Sequence, residues 1–305
     1  MNPAKYAKHT QCLVCHSEQI KPMRGYEQHF LARCLKCGFT FVERIPEDLE
    51  LTSFYSSYAY SSDPWISPIT IQRYHELLDS FEPFRKSNRI MDVGCGAGHF
   101  LAIALTRGWE VFGSEFSPAA LALCRAKGIQ MVEGSIANPS LQPDGFETLE
   151  ASFDVITSFE VIEHINNPHD DLAAIAKLLR PGGLHYCTTP NFNALGRRWL
   201  KADYNVIGYP EHLSYYTVRT LHNVFTQHHF MRQALITEGI SITRIKKSQN
   251  AGSTLKIGAA NAPDEKLRER TESQPFWKFV KQTVNLIFRV TRTGATLKAR
   301  YIKPL

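Results

Sequence analysis

The chain has 305 residues, 43% of them hydrophobic and 21% charged, which is ordinary for a globular protein able to bury a large core. No apolar run reaches the length of a membrane span, which excludes an integral helical membrane protein. The first residues show no signal-peptide pattern, and four of the seven cysteines have metal-type spacing. A reducing, cytoplasmic setting is therefore expected rather than a disulfide framework. The net charge of +6 is uneven: from Ser273 onward there are seven basic residues (Lys278, Lys281, Arg289, Arg292, Lys298, Arg300, Lys303) and no acid, leaving the rest near −1.

Residues 1–45 carry Cys12-Leu-Val-Cys15 and, eighteen residues later, Cys34-Leu-Lys-Cys37-Gly38. Two such knuckles at this separation predict a four-thiolate zinc ribbon with Cys12, Cys15, Cys34 and Cys37 as ligands. Four protein ligands close the coordination shell, so a structural metal is expected, with neither His16 nor His29 taking part. Residues 46–67 read as an aromatic linker with Phe54, Tyr55, Tyr58, Tyr60 and Trp65. Either it forms a flap over a ligand pocket or it packs the ribbon on the body.

Residues 68–261 alternate strand and helix signals. Ile71, Tyr74, Leu77, Leu78 and Phe81 have helical spacing over 68–82. Arg89 to Val93 reads as a buried strand ending at Asp92, and Gly94-Cys95-Gly96-Ala97-Gly98 turns it into a helix over 100–107. A second strand over 110–114 ends at Glu115, a carboxylate placed for the hydroxyls of an adenosine ribose. Ser117 and Pro118 signal the next helix start. A third strand over 129–132 precedes Ser135 and Ile136, and a fourth over 153–158 delivers Phe159-Glu160-Val161-Ile162-Glu163-His164. Pro168 starts a helix that stops at Arg180-Pro-Gly-Gly183 before a fifth strand over 184–189. An irregular stretch, 193–216, precedes a helix over 218–230, and 240–245 and 254–259 read as the sixth and seventh strands. The fold class expected is α/β, a doubly wound sheet.

The acid followed by Gly-x-Gly-x-Gly resembles motif I of class I S-adenosylmethionine (SAM) methyltransferases; His99 stands where a dinucleotide fingerprint wants its last glycine. Glu163-His164 after the fourth strand and Leu179-Arg-Pro-Gly-Gly183 before the fifth resemble the branch that includes the ubiquinone-pathway O-methyltransferases. The resemblance spans about residues 68–260. It implies a seven-stranded Rossmann-like sheet closed by an antiparallel hairpin. It also implies SAM as cofactor, held by Asp92, Gly94, Cys95, Gly96, Gly98, Glu115, Phe116, Ser135, Ile136, Phe159 and Glu160. Ser135 would face the adenine amine and Ile136 the ring.

Transfer to a hydroxyl needs a general base. His164, oriented by Glu163, is one candidate and His212 the rival. Glu160, Glu163 and His164 at i, i+3 and i+4 also suit a divalent cation, or simply cap the turn. The expected acceptor is a small molecule with a hydroxyl, on a sugar, a quinone-like ring or another biosynthetic intermediate. The alternatives are an RNA methyltransferase gripping nucleic acid through the ribbon, and a nicotinamide-dependent oxidoreductase. Basic and aromatic residues do not interleave around the ribbon, which disfavours nucleic acid.

Residues 262–305 read as a polar linker and a basic amphipathic helix over 276–303. Phe276, Val280, Val284 and Ile287 lie on one face, with Lys278, Lys281, Asn285, Arg289 and Arg292 opposite. That helix would dock on the body, on a partner protein, or peripherally on a membrane surface.

Overall fold

A computed structural model describes residues 6–47, 50, 65–137, 149–240 and 275–305. The ribbon contributes three short strands, β1 (Ile20–Pro22), β2 (Leu31–Cys34) and β3 (Thr40–Val42). Next comes α1 (Pro68–Asp79), opened by Ser67, whose hydroxyl accepts the Thr70 N–H, and by Pro68 at the first turn.

The β-α alternation then runs β4 (Arg89–Val93), α2 (His99–Thr106), β5 (Glu110–Glu115), α3 (Pro118–Ala126), β6 (Gln130–Glu133), β7 (Phe153–Phe159), α4 (Pro168–Leu178) and β8 (Leu179–Pro190). Ser117 caps α3 and Pro118 and Pro168 open α3 and α4, as the sequence predicts, and Asn167 adds a cap to α4. The chain continues with α5 (Leu195–Leu200), β9 (Ser214–Tyr215), α6 (Val218–Gln227), β10 (Met231–Glu238), α7 (Pro275–Thr291) and β11 (Thr296–Ile302).

Seven strands form one sheet in the order β10-β11-β8-β7-β4-β5-β6. The strands β4 to β8 are parallel, and β11 runs antiparallel between β8 and β10. The seven-stranded Rossmann-like sheet is therefore present, with its closing hairpin built from other residues than expected. The strands read at 240–245 and 254–259 fall, apart from Ile240, outside the described residues. Met231–Glu238 and Thr296–Ile302 fill those places instead.

The helix expected over 276–303 stops at Thr291 for the same reason. Beyond Gly294 the burial alternates, with Leu297, Ala299 and Tyr301 fully buried and Lys298 and Arg300 pointing outward, a period-two pattern. The aromatics Phe54, Tyr55, Tyr58 and Tyr60 lie outside the described residues.

The ribbon's strands form a second sheet, β1-β2-β3-β9, whose fourth strand comes from the body. Thr40 pairs with Tyr215 and Phe41 with Ser214. Phe39 packs on Tyr216 with ring centres 5.0 Å apart, and Cys12, Val14, Phe39 and Phe41 share one buried cluster with Met91, Val93 and Ile162. The two sheets thus share a core.

Candidate active site

Parallel pairing brings the carboxyl ends of the central strands to one edge: Val93 lies opposite both Ser114 and Ser158, and Glu115 opposite Glu133. Ligands of open α/β sheets bind outside such an edge. Gly94, Gly96 and Gly98 all have positive φ (65°, 54° and 73°). Side chains are excluded there by packing as well. A Cβ on Gly94 would meet Val161 Cγ2 at 2.8 Å, and one on Gly98 would meet Cys124 Sγ and Ile129 Cδ1 at 2.7 Å. Bare backbone is thus left facing outward from the strand edge.

Glu115 ties the second strand to this loop. Its carboxylate accepts the N–H of Gly96 (2.9 Å), Phe116 (2.8 Å) and Ser117 (3.0 Å), so it faces the glycine loop. Phe116 stands exposed beside it. Asp92 is buried and accepts the Thr157 hydroxyl at 2.7 Å; burial pushes its carboxyl up to about 8. A ligand with a cationic end near it would offset that burial. Cys95 offers the site backbone only, because its thiol points under the loop, 3.8 Å from Cys124 Sγ.

The structure separates other expected contacts. Ile136 is buried in the core and Phe159 packs among Tyr74, Phe100 and Tyr186. Ser135 Oγ donates to Asp171 Oδ1 at 3.4 Å and receives the Ala137 N–H at 3.1 Å. Asp171 was not singled out in the sequence. It lies in the first turn of α4, where an acid reads as helix-dipole compensation; burial lifts it to about 6.

Residues 160–164 form a turn rather than a helix, with His164 N–H bonded to Val161 O at 2.9 Å and Glu160 at φ 55°. Glu160 therefore does not share a helical face with Glu163 and His164. The partner that joins them is His212: one ligand-type atom each from Glu163, His164 and His212 lie within 4.8 Å of one another. The two imidazoles meet edge to face at 4.7 Å.

Both rings are held from behind by backbone. His164 Nδ1 sits 2.5 Å from Glu211 O, and His212 Nδ1 sits 2.6 Å from Val206 O. A carbonyl only accepts, so each Nδ1 carries its proton in the neutral ring and each Nε2 the lone pair. Burial lowers the pKa of His164, against the raising effect of Glu211 and Glu160, which favours its neutral form. Glu163 is buried, and its Oε2 accepts the Thr189 hydroxyl at 2.9 Å.

The ribbon reaches this cluster through one strand. The Glu163 carbonyl accepts the N–H of Leu213 (2.8 Å) and Ser214 (2.9 Å), and Leu213 O accepts the Val42 N–H at 2.8 Å. His212 is the residue just before that strand connection. In the ribbon, Cys12 Sγ and Cys37 Sγ lie 3.6 Å apart, as do Cys15 Sγ and Cys34 Sγ. A tetrahedron of thiolates around zinc has edges of about 3.8 Å, so the donor set fits that ion. The knuckles turn alike: His16 and Gly38 direct their N–H at the Cys12 and Cys34 carbonyls, both at 3.0 Å, and both take positive φ (54° and 82°). His16 takes this left-handed turn without being glycine.

An apolar cavity of about 360 Å³ lies elsewhere on the same sheet edge, beyond β8. Leu195, Trp199, Tyr204, Ile240 and Phe288 line it, and the glycine loop does not.

Residues 69–231 match the protein family described as methyltransferase domain, more than half of the chain. The ubiquinone biosynthesis O-methyltransferase of Alkalilimnicola ehrlichii is 33% identical over 129 residues, 42% of this chain and 50% of that protein. The chain spans about half the length of the curated relatives it matches. Among solved structures, a SAM-dependent methyltransferase from Archaeoglobus fulgidus has a TM-score of 0.50 at 14% identity, covering 83% of this chain and 99% of the other. Phosphoethanolamine N-methyltransferase 2 from Haemonchus contortus, solved with S-adenosyl-L-methionine, has a TM-score of 0.54 at 16% identity, covering 86% and 62%. At these identities the likeness concerns the fold.

Proposed function

Because the chain belongs to the methyltransferase domain family, we propose that it transfers a methyl group from SAM to a hydroxyl of a small-molecule acceptor. The observation that carries this reading is Glu115, whose carboxylate faces the glycine loop through the Gly96 N–H at the mouth of the parallel strands. SAM would supply the activated methyl group, and the residues here fit its parts. Glu115 and Phe116 suit the ribose end, the bare loop from Gly94 to Gly98 and buried Asp92 the cationic end, and Ser135 with Asp171 the adenine amine.

Direct displacement asks the protein for alignment and exclusion of water, and an alcohol must also give up a proton. His164 Nε2 is the proposed base. Its proton-bearing Nδ1 is anchored on Glu211 O, and His212 stands beside it as second acceptor or orienting group. Glu163 stabilises the imidazolium once the proton arrives. A second reading comes from the mutual spacing of Glu163, His164 and His212, which suits a divalent cation that acidifies the hydroxyl. Added Mn²⁺ that broadens the NMR signals of both rings favours the cation; unperturbed rings leave the base.

Calorimetry with SAM and NAD tests the core of the proposal. Tight SAM binding without NAD binding is expected, and the reverse overturns it. Mass spectrometry of small-molecule extracts incubated with methyl-labelled SAM then identifies the acceptor. RNA labelled in the same assay would instead support the ribbon-assisted nucleic-acid alternative.

A further inference from the structure

The helix α7 carries apolar residues around most of its circumference. Its inner side rests on β10: Thr237 donates its hydroxyl to Phe288 O at 2.6 Å, Gly239 N–H bonds Asn285 at 3.0 Å, and Phe288 is buried. The expected stripe of Phe276, Val280, Val284 and Ile287 is therefore divided. Val280 and Val284 are half-buried, whereas Phe276 and Ile287 belong to an outer face.

That outer face is Phe276, Phe279, Thr283, Leu286, Ile287 and Val290, which fall within about 100° of arc at 3.6 residues per turn. Phe276 is 68% exposed, Phe279 67%, Leu286 61% and Val290 76%. A water-facing helix would have polar residues there, so a covered surface is indicated.

Charge decides what covers it. Residues 275–292 hold Lys278, Lys281, Arg289 and Arg292 and no carboxylate. Lys278 and Arg289 border the apolar arc on one side, at the level where long cationic side chains reach past buried apolar neighbours. Arg289 is also held by Glu238, which fixes the helix's rotation. At the carboxyl end of α7, Leu195 donates its N–H to Thr293 O, and Leu195 and Trp199 add exposed apolar surface on α5 beside exposed Arg198. Among the described residues nothing lies over this face. An apolar arc bordered on one side by Lys278 and Arg289 has the chemistry of an interfacial helix, a type whose apolar face sinks about 5–10 Å into anionic lipid.

We propose that the outer face of α7 docks the protein peripherally on an anionic bilayer. Phe276, Phe279, Leu286, Ile287 and Val290 enter the headgroup–acyl boundary, while Lys278, at the border of the arc, meets lipid phosphate. The carboxyl edge of the large sheet, where β8 and α5 meet the cavity, is thereby turned toward the membrane surface.

Sedimentation of the full chain with vesicles of phosphatidylcholine, with and without phosphatidylglycerol, tests this. At low salt, partitioning is expected to be at least about tenfold greater on the anionic vesicles. The double variant Phe279→Glu/Leu286→Glu should lose at least about tenfold of that binding. Lys278→Gln should lose about fivefold and part of the salt dependence. SAM titration of each variant serves as the folding control, since these residues lie apart from the glycine loop. It also keeps this test separate from that of the methyl-transfer reading. Equal sedimentation of wild type and both variants overturns the proposal. So does a dimer in analytical ultracentrifugation that Phe279→Glu/Leu286→Glu dissociates, or failure of anionic vesicles to bind the wild type.

Discussion

In the large sheet, five parallel strands are shielded by helices on both faces, and β4, β7 and β8 are almost wholly buried. The ribbon's sheet has strands of two to four residues, and its last strand is borrowed from the body. The first has enough apolar area to be stable by burial; the second is too small for that, gathers four cysteines and shares the body's core. Yet the small sheet touches the candidate base most directly, because β3, β9 and the Glu163 turn are linked by consecutive backbone hydrogen bonds. On the proposed function, the ribbon buttresses the acceptor side of the site, while the large sheet presents the cofactor side.

The sharpest break of that division is loss of the zinc that the four cysteines would hold. Cys12→Ser or Cys37→Ser should remove a contribution of order 10 kcal/mol to ribbon folding. Hydrogen exchange at Leu213 and Ser214 should then accelerate by orders of magnitude, with SAM affinity within a few-fold of wild type. Equal loss of both would show that the sheets act as one unit. On the other side, Glu115→Ala removes the acceptor of three N–H groups and should weaken SAM binding by about a hundredfold in calorimetry. Any zinc held by the four cysteines should be unchanged.

Gly98→Ala places a Cβ against Cys124 and Ile129 at positive φ, and should destabilise the large sheet by about 2 kcal/mol in a denaturant titration. The smallest effect is on titration. Burial lowers the His164 pKa, so neutral imidazole contributes stability above the ordinary pKa near 6.5, and that contribution is lost as pH falls through the folded value. An NMR midpoint below 6.5 that rises in Cys12→Ser would tie the ribbon to that burial.

Local signals carried most of the fold into the sequence. The Cys-x-x-Cys pairs, the Ser117-Pro118 and Pro168 helix starts and the Asp92-to-Gly98 turn each act within a few residues, so each was legible. The parts that escaped are long-range. His212 joins Glu163 and His164 across nearly fifty residues, replacing the expected Glu160, and Asp171 on α4 reaches Ser135 in the loop after β6. Strand β11 escaped because its outward positions are Lys298 and Arg300, which extend the basic run of α7 and conceal the alternation of Leu297, Ala299 and Tyr301. Both faces of α7 are apolar, and only the packing on β10 shows which one turns inward.

The position of β11 has a consequence during synthesis. Of the seven strands it is the last to leave the ribosome, yet it belongs between β8 and β10. Until it arrives, the nascent chain carries β8 with an open flank of unsatisfied backbone groups, and β10 has no neighbour to pair with. A ribosome stalled before residue 296 would therefore display an adhesive intermediate in need of a chaperone.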